Sequence, residues 1–254
     1  MFRVSGYGAS GFAVNDTPCV GVARGAHKSL AVVGNALYYK GPTAVMGFDG
    51  SAPVSVSERL GKLTGYTRAV GGACGDKYYL SLYGYKGKGA VLYVMDTTQG
   101  VWHKEDATEV ESMASVSGNM YLIRVLRKVV AEEETVTHEI RTVTPLSADD
   151  PTETAPVRWY AETGIIGLDT PDAKYISKLA IRMDLEAGAS VRVSVEYDSS
   201  GYWKQIGARE AVSIKTVTMP IVPMRCDHMR LRLEGVGGCK VYSITKSLQA
   251  GAEV

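Results

Sequence analysis

The sequence has few of the residues that mark an enzyme centre or a metal site. It contains only four histidines and four cysteines in 254 residues. The cysteines form no CxxC pair and have no metal-like spacing; they are Cys19, Cys74, Cys226 and Cys239. No serine or cysteine lies in a nucleophile motif. The sequence therefore predicts no catalytic residue, no cofactor and no metal.

The chain also lacks an excess of charge and a long apolar run. Lys and Arg number 28 against 27 Asp and Glu, a net charge of +1, whereas a nucleic-acid-binding surface needs a clear basic excess. No stretch is long enough to cross a bilayer. The N-terminus, MFRVSGYGASGF, has no charged start followed by an apolar run, so we expect no signal peptide. We therefore expect no nucleic-acid partner and no membrane span.

Cys226 and Cys239 flank a predicted hairpin whose turn is 235–238. In that hairpin Cys239 faces Glu234 rather than Cys226, so no disulfide is expected. Free thiols fit a reducing compartment.

The aromatic residues are unevenly distributed, with three Phe and three Trp but 15 Tyr, beside 28 Gly. Tyrosine suits half-exposed strands and interfaces, because its ring is buried while its hydroxyl stays hydrogen-bonded. Many glycines between Tyr- and Val-rich strands are typical of short connections. The composition therefore predicts an all-β protein.

A unit of four short strands recurs in the first half of the chain. Residues 69–104, which include KYYLSLYGYKGKGAVLYVMDTTQGVWH, repeat the order of residues 31–60, and 112–144 form a poorer third copy. A period of roughly 40–45 residues is the size of a propeller blade. We predict an incomplete propeller-like domain over 1–146. The missing blades come from a longer protein or from another subunit, or else the repeats form an open sandwich.

The pattern changes after a Pro-, Thr- and acid-rich run at 147–158, which reads as a linker. Apolar residues then alternate with polar ones, as in Leu179, Ile181 and Met183, and this alternation recurs in five segments. Sheets with one buried face and one solvent-exposed face predict a β-sandwich or jelly-roll-like domain over 159–254.

Asp49 and Asp96 occupy matching places in successive repeats and are read as structural, as is Trp102, which is expected to fill a blade interior. Each aspartate is expected to fix its own turn through bonds to backbone amides. A more specific alternative is that Asp96, Glu105 and Asp106 include the paired catalytic carboxylates of a propeller glycosidase.

The sandwich strands offer a candidate interaction surface. Its members lie on outward strand positions or in a nearby turn: Arg182, Arg192, Arg230, Arg232, Tyr202 and Trp203. They suit an acidic partner, a phosphate or a sugar face, but Asp184, Glu196 and Glu234 on the same face favour plain cross-strand charge pairs. His228 with Cys226 and Asp227 is a weaker alternative as a metal corner.

Several segments resemble a family of structural proteins of tailed phages and prophages of Gram-positive bacteria. The resemblance lies in 25–41, 48–61 (FDGSAPVSVSERLG), 77–82, 92–106 (LYVMDTTQGVWHKED), 174–203 and 219–235 (MPIVPMRCDHMRLRLEG). It implies a tail or neck component with a propeller-like part and a C-terminal sandwich. The family is longer at the N-terminus and supplies no catalytic residues.

On this basis we expect a structural virion component that acts through protein–protein assembly and is not an enzyme. Its expected partners are other virion proteins or its own subunits, and its expected location is the virion, with the host cytoplasm during assembly. A carbohydrate-binding module or receptor-binding domain, with a glycan as partner, is the alternative. A degenerate propeller glycosidase ranks below both.

Overall fold

A computed structural model of the chain describes residues 2–7, 11–16, 18–84, 88–130, 133–143, 158–167, 174–210, 215–219, 224 and 226–250. The fold is all-β and divides into two compact units, Met1–Asp150 and Pro151–Val254. The expected fold class, four-stranded propeller-like repeats followed by a β-sandwich, is confirmed. The predicted domain limits stay a prediction, and 147–157 of the linker lies outside the described residues.

The first unit begins with an antiparallel hairpin and continues with two four-stranded antiparallel sheets. Its strands are β1 (Phe2–Gly6), β2 (Phe12–Asp16), β3 (Ala31–Val33), β4 (Ala36–Lys40), β5 (Val45–Phe48), β6 (Val54–Ser55), β7 (Arg68–Cys74), β8 (Lys77–Gly84), β9 (Gly89–Asp96) and β10 (Val101–Asp106). Strands β3 to β6 form the first repeat and β7 to β10 the second, each in chain order. This is the strand order of a propeller blade.

The third repeat has three strands within the described residues: β11 (Val110–Val116), β12 (Asn119–Val130) and β13 (Glu133–Thr142). Strands β12 and β13 pair over ten positions, from Tyr121 opposite Thr142 to Val130 opposite Glu133. The two strands therefore form a long antiparallel pair.

The first strands of neighbouring repeats lie side by side. Lys28, just before β3, forms a parallel bridge with Val70 of β7, and the Gly71 amide donates to the Lys28 carbonyl at 2.9 Å. A side chain at Gly71 would overlap the Ser29 backbone, so glycine permits this close approach. The Tyr78 hydroxyl, fully buried, donates to the Ser29 carbonyl at 2.7 Å. These contacts join the first two repeats into one apolar core.

The second unit is built from two antiparallel sheets. Its strands are β14 (Arg158–Glu162), β15 (Ile166–Gly167), β16 (Lys174–Leu185), β17 (Ser190–Tyr197), β18 (Lys204–Glu210), β19 (Lys215–Met219), β20 (His228–Val236) and β21 (Cys239–Ala250). One sheet has the order β14-β20-β17-β18, with β15 also paired to β20, and the other has the order β19-β16-β21.

The sandwich core follows from the period-two alternation of its strands. Leu179, Ile181 and Met183 of β16 are fully buried, as are Val193 of β17 and Leu231 of β20. These side chains come from both sheets and form one cluster. The alternate residues of each strand are left on the outer face, where the candidate interaction surface was predicted.

Two local predictions are wrong. Strands β20 and β21 do not pair as a hairpin across 235–238; they belong to different sheets, so the chain crosses the sandwich there. All four cysteines are free thiols, in agreement with the expected lack of a disulfide. The Asp49-Gly50 pair predicts a tight hairpin turn, but β5 ends at Phe48 and β6 begins only at Val54.

The only helical element in the described residues is the short 3-10 helix Glu58–Leu60, where a helical turn was expected. Within the described part of the chain, no helix is long and apolar enough to cross a membrane.

Candidate functional site

The repeat aspartates fix the loops that follow their strands. The Asp49 carboxylate accepts hydrogen bonds from the Ser51 amide at 3.0 Å and hydroxyl at 2.6 Å. The Asp96 carboxylate accepts from the Thr98 amide and hydroxyl and from the Gln99 amide, at 2.6 to 3.0 Å. The hydroxyl of Thr98 is the main cause that lowers the pKa of Asp96, and Ser51 lowers that of Asp49 in the same way. Both carboxylates are therefore engaged in turn geometry.

The carboxylates proposed as partners of Asp96 are also engaged locally. Asp106 accepts from the Thr108 amide at 2.7 Å and from the Thr108 hydroxyl at 2.6 Å. Glu105 lies 2.8 Å from His103 Nε2, and this contact lowers the pKa of Glu105. A lowered pKa suits a hydrogen-bond acceptor rather than a proton donor at neutral pH.

Trp102 connects the first two repeats. Its indole Nε1 donates to the Val56 carbonyl, which follows β6, at 2.7 Å. Its ring meets the rings of Tyr78 and Tyr93 edge-on, with centroids 6.2 and 6.4 Å away. Tyr78 in turn stacks on Tyr38 of the first repeat at 5.5 Å. The tryptophan therefore fills the space between two repeats.

On the outer face of the five-stranded sheet, four charged side chains form a closed ion-pair network. Glu162 binds both Arg230 and Arg232 at 2.7 Å, and the almost fully buried Glu196 binds Arg230 at 3.1 Å. The guanidinium of Arg232 lies over the Trp203 ring, 4.1 Å from its centroid, and that of Arg230 lies at 5.4 Å. These carboxylate and aromatic contacts stabilise the sheet face.

A groove of about 520 Å³ lies at the other end of the same face. Tyr160 of β14, Glu234 of β20 and Arg192 of β17 are opposite one another on adjacent strands. Arg158 and Glu210 lie one row further along the strands and also line the groove. Within the described residues, Arg192 and Glu234 have no ion-pair or hydrogen-bond partner for their side chains, unlike the neighbouring network.

The structure separates the six residues of the predicted surface. Arg230, Arg232 and Trp203 are brought together in the ion-pair network, and Arg192 lies in the groove. Arg182 is on the other sheet, where its guanidinium lies 5.9 Å from the Tyr242 ring centroid. Tyr202 is exposed in the turn before β18 and lines none of these features. The groove residues Tyr160 and Arg158 were not predicted.

The first unit contains a second charged site that the sequence did not reveal. Glu109 is almost fully buried and pairs with Arg68 and, through both Nε and a terminal nitrogen at 2.8 and 2.9 Å, with Arg127. Glu111 pairs with Lys28 at 2.7 Å and with Arg68 at 3.0 Å. The Lys28 ammonium is the main cause that lowers the pKa of Glu111. Both carboxylates are thus held as hydrogen-bond acceptors.

No metal corner forms in the part of the chain that the structure describes, where no group of three or more His, Cys, Asp or Glu side chains could hold an ion. His228 Nε2 lies 2.7 Å from the Ser199 hydroxyl. The Asp198 carboxylate accepts the amide hydrogen bonds of Asp227 and His228. This cluster fastens the turn 198–199 to the start of β20.

No protein-family model and no curated protein matches the chain. The solved structures that it resembles include glycoside hydrolases. An exo-β-1,3-galactanase from Phanerochaete chrysosporium with galactose shares 10% identity at a TM-score of 0.25 over 82% of this chain. A family 43 arabinoxylan arabinofuranohydrolase from Bacillus subtilis shares 8% at 0.25 over 85%. The chain spans 65% and 64% of their lengths. At these identities the likeness concerns the fold alone.

Two predictions are corrected by this comparison. The role as a structural virion component acting through assembly is contradicted, because the similar solved structures are glycoside hydrolases and none of the findings points to a virion. The prediction that the chain is not an enzyme is contradicted by the same structures. The resemblance to the phage family, the expected partners and the expected location stay untested predictions.

Proposed function

We propose that the second unit binds an acidic carbohydrate in the groove lined by Arg158, Tyr160, Arg192, Glu210 and Glu234. The observation that carries the proposal is the row formed by Tyr160, Glu234 and Arg192, which places an exposed ring beside a carboxylate and a guanidinium that have no ion-pair or hydrogen-bond partner among the described residues. Unpaired charges side by side in a groove are suited to a ligand that supplies both donors and acceptors.

The chemistry of the lining fits a sugar that carries carboxylates. The Tyr160 side chain is largely exposed and offers an aromatic surface for one face of a sugar ring. Glu210 and Glu234 accept from hydroxyl groups, while arginine donates to hydroxyl or carboxylate oxygens. Arg158 and Arg192 line the groove with two glutamates, and the guanidinium of Arg209, which also lines it, donates to the Ala208 and Thr218 carbonyls. The guanidinium of Arg192 is therefore the donor that we assign to a sugar carboxylate.

The size and shape agree with this class of ligand. About 520 Å³ falls within the usual range for small-molecule sites, roughly 300–1,000 Å³. The groove lies on an open sheet face, so a chain of sugar units can continue beyond it. The neighbouring Trp203 is not the stacking platform, because Arg232 already covers its ring.

Calorimetric titration of the full chain with oligogalacturonate, and with a neutral galactose oligomer of equal length, tests the proposal. Arg192→Ala should weaken binding of the acidic oligomer about tenfold, the effect of losing one charge-assisted hydrogen bond. Tyr160→Ala should weaken both oligomers by a similar factor.

Two matched variants serve as controls. Tyr202→Ala removes an exposed tyrosine outside the groove, and Arg182→Ala removes an arginine from the other sheet. Neither should change the affinity. Equal losses in the groove and control variants, or no binding of either oligomer, would contradict the proposal.

A further inference from the structure

A pocket of about 510 Å³ opens in the first unit, beside the start of β7. Apart from a glycine, the residues that line it are basic or carry a hydroxyl group, and none is a carboxylate. They are Gly25, His27, Lys28, Thr67, Arg68, Tyr83 and Arg127. The carboxylates that neutralise these cations, Glu109, Glu111 and Glu134, are not part of the lining. The pocket therefore presents cations and N–H donors to a ligand.

Ion pairing holds the donors in place. The side chain of Glu109 is 7% exposed and binds both Arg68 and Arg127. The two guanidiniums also lie over the ring of Tyr83, at 5.5 and 5.2 Å from its centroid. A guanidinium held by a carboxylate on one edge and a ring on its face loses little conformational entropy when it binds a ligand.

The backbone at the pocket rim is also fixed. Gly25 has a φ of 77°, and a side chain there would overlap the Thr67 carbonyl, so only glycine fits. The Ala69 amide donates to the Gly25 carbonyl at 3.4 Å, and Gly71 donates to Lys28. The segment that carries His27 and Lys28 is thereby attached to β7.

We propose that this pocket binds the tetrahedral oxyanion of a phosphate or sulfate ester, with Lys28, Arg68 and Arg127 facing the charged group. Planar guanidiniums and an ammonium are the side chains that recognise such groups in proteins. The carboxylates behind them reduce the net charge, so recognition depends on oriented donors and not on a large positive field. A volume of 510 Å³ leaves room for the organic part of the ester. The proposal is independent of the carbohydrate groove, which lies in the other unit.

Calorimetric titration of the full chain with phenyl phosphate, phenyl sulfate and benzyl alcohol tests it. At least one ester should bind and benzyl alcohol should not. Binding of phenyl phosphate alone or of phenyl sulfate alone identifies the oxyanion, and either result supports the proposal. Lys28→Gln should weaken ester binding about tenfold, the effect of one charge-assisted contact. Raising the salt concentration should also weaken ester binding by the unchanged chain.

Control variants separate the pocket from other sites. Lys104→Gln, an exposed lysine on β10 outside the pocket, and Arg192→Ala in the groove should leave ester binding unchanged. The double variant Glu109→Gln with Arg127→Gln replaces a buried ion pair by two amides, which protects the fold while removing a donor cation. It should also weaken binding. No binding of either ester, equal binding of benzyl alcohol, or unchanged affinity in Lys28→Gln would overturn the proposal.

Discussion

The buried carboxylate of Glu109 should make the two arginines beside it act as one unit in stability. Its side chain is 7% exposed, and it accepts hydrogen bonds from Arg68 and from two nitrogens of Arg127. Removing either arginine leaves the other as a counter-ion. Removing both by Arg68→Ala and Arg127→Ala leaves a buried charge without compensation, which costs about 3–5 kcal/mol.

The expected result is non-additive. Each single substitution should lower the free energy of unfolding by about 1 kcal/mol, because the remaining arginine and the partial exposure of both guanidiniums moderate the loss. The double variant should lose about 4 kcal/mol, or about 10 °C in Tm for a unit of this size. Adding Glu109→Gln to the double variant should restore part of the loss, since no buried charge remains.

Differential scanning calorimetry of the full chain measures these effects, with Lys104→Ala as an exposed control in the same unit. A double variant that loses no more than the sum of the two single variants would refute the coupling. So would a failure of Glu109→Gln to recover any stability.

Two further predictions concern single positions. Asp96→Ala should lower Tm, and Asp96→Asn should lower it less, because the amide oxygen can still accept from Thr98. The pKa of Asp96 is lowered in the fold, so its contribution to stability is present above its unfolded pKa and is lost as the pH falls through its folded pKa. A carboxyl NMR titration and the dependence of Tm on pH can follow this loss. Gly235→Ala should destabilise the second unit by about 1–3 kcal/mol, because a Cβ there would overlap the Trp159 ring and lie 2.6 Å from the Ser190 carbonyl oxygen; an unchanged calorimetric transition would contradict this.

Strand-level features of the fold could be predicted because they are local. The alternation of Leu179, Ile181 and Met183 indicates a strand with one buried face, and these residues are fully buried. The repeated order of strands likewise predicted the four-stranded sheets. A glycine-rich turn at 235–238 does not distinguish a hairpin from a crossing between two sheets, because local chain reversal is common to both, and there the prediction was wrong.

The candidate sites could be predicted only in part, because they depend on pairings between distant residues. Arg68 and Glu109 are 41 positions apart, and Arg127 is 18 positions beyond Glu109. Nothing in the local sequence indicates that they meet. Arg192 was predicted as an outward arginine, but its place beside Tyr160 follows from the order β14-β20-β17. A signal for Tyr160 was available in its alternation with the apolar Trp159.

The most direct test of the central claim, carbohydrate binding by the second unit, is a crystal structure of the full chain with oligogalacturonate. We predict a sugar ring against Tyr160, with a carboxylate of the sugar within hydrogen-bond distance of Arg192 and sugar hydroxyl groups near Glu234. An oligomer bound elsewhere, for example over Trp203 and Arg232, with an empty groove, would contradict it.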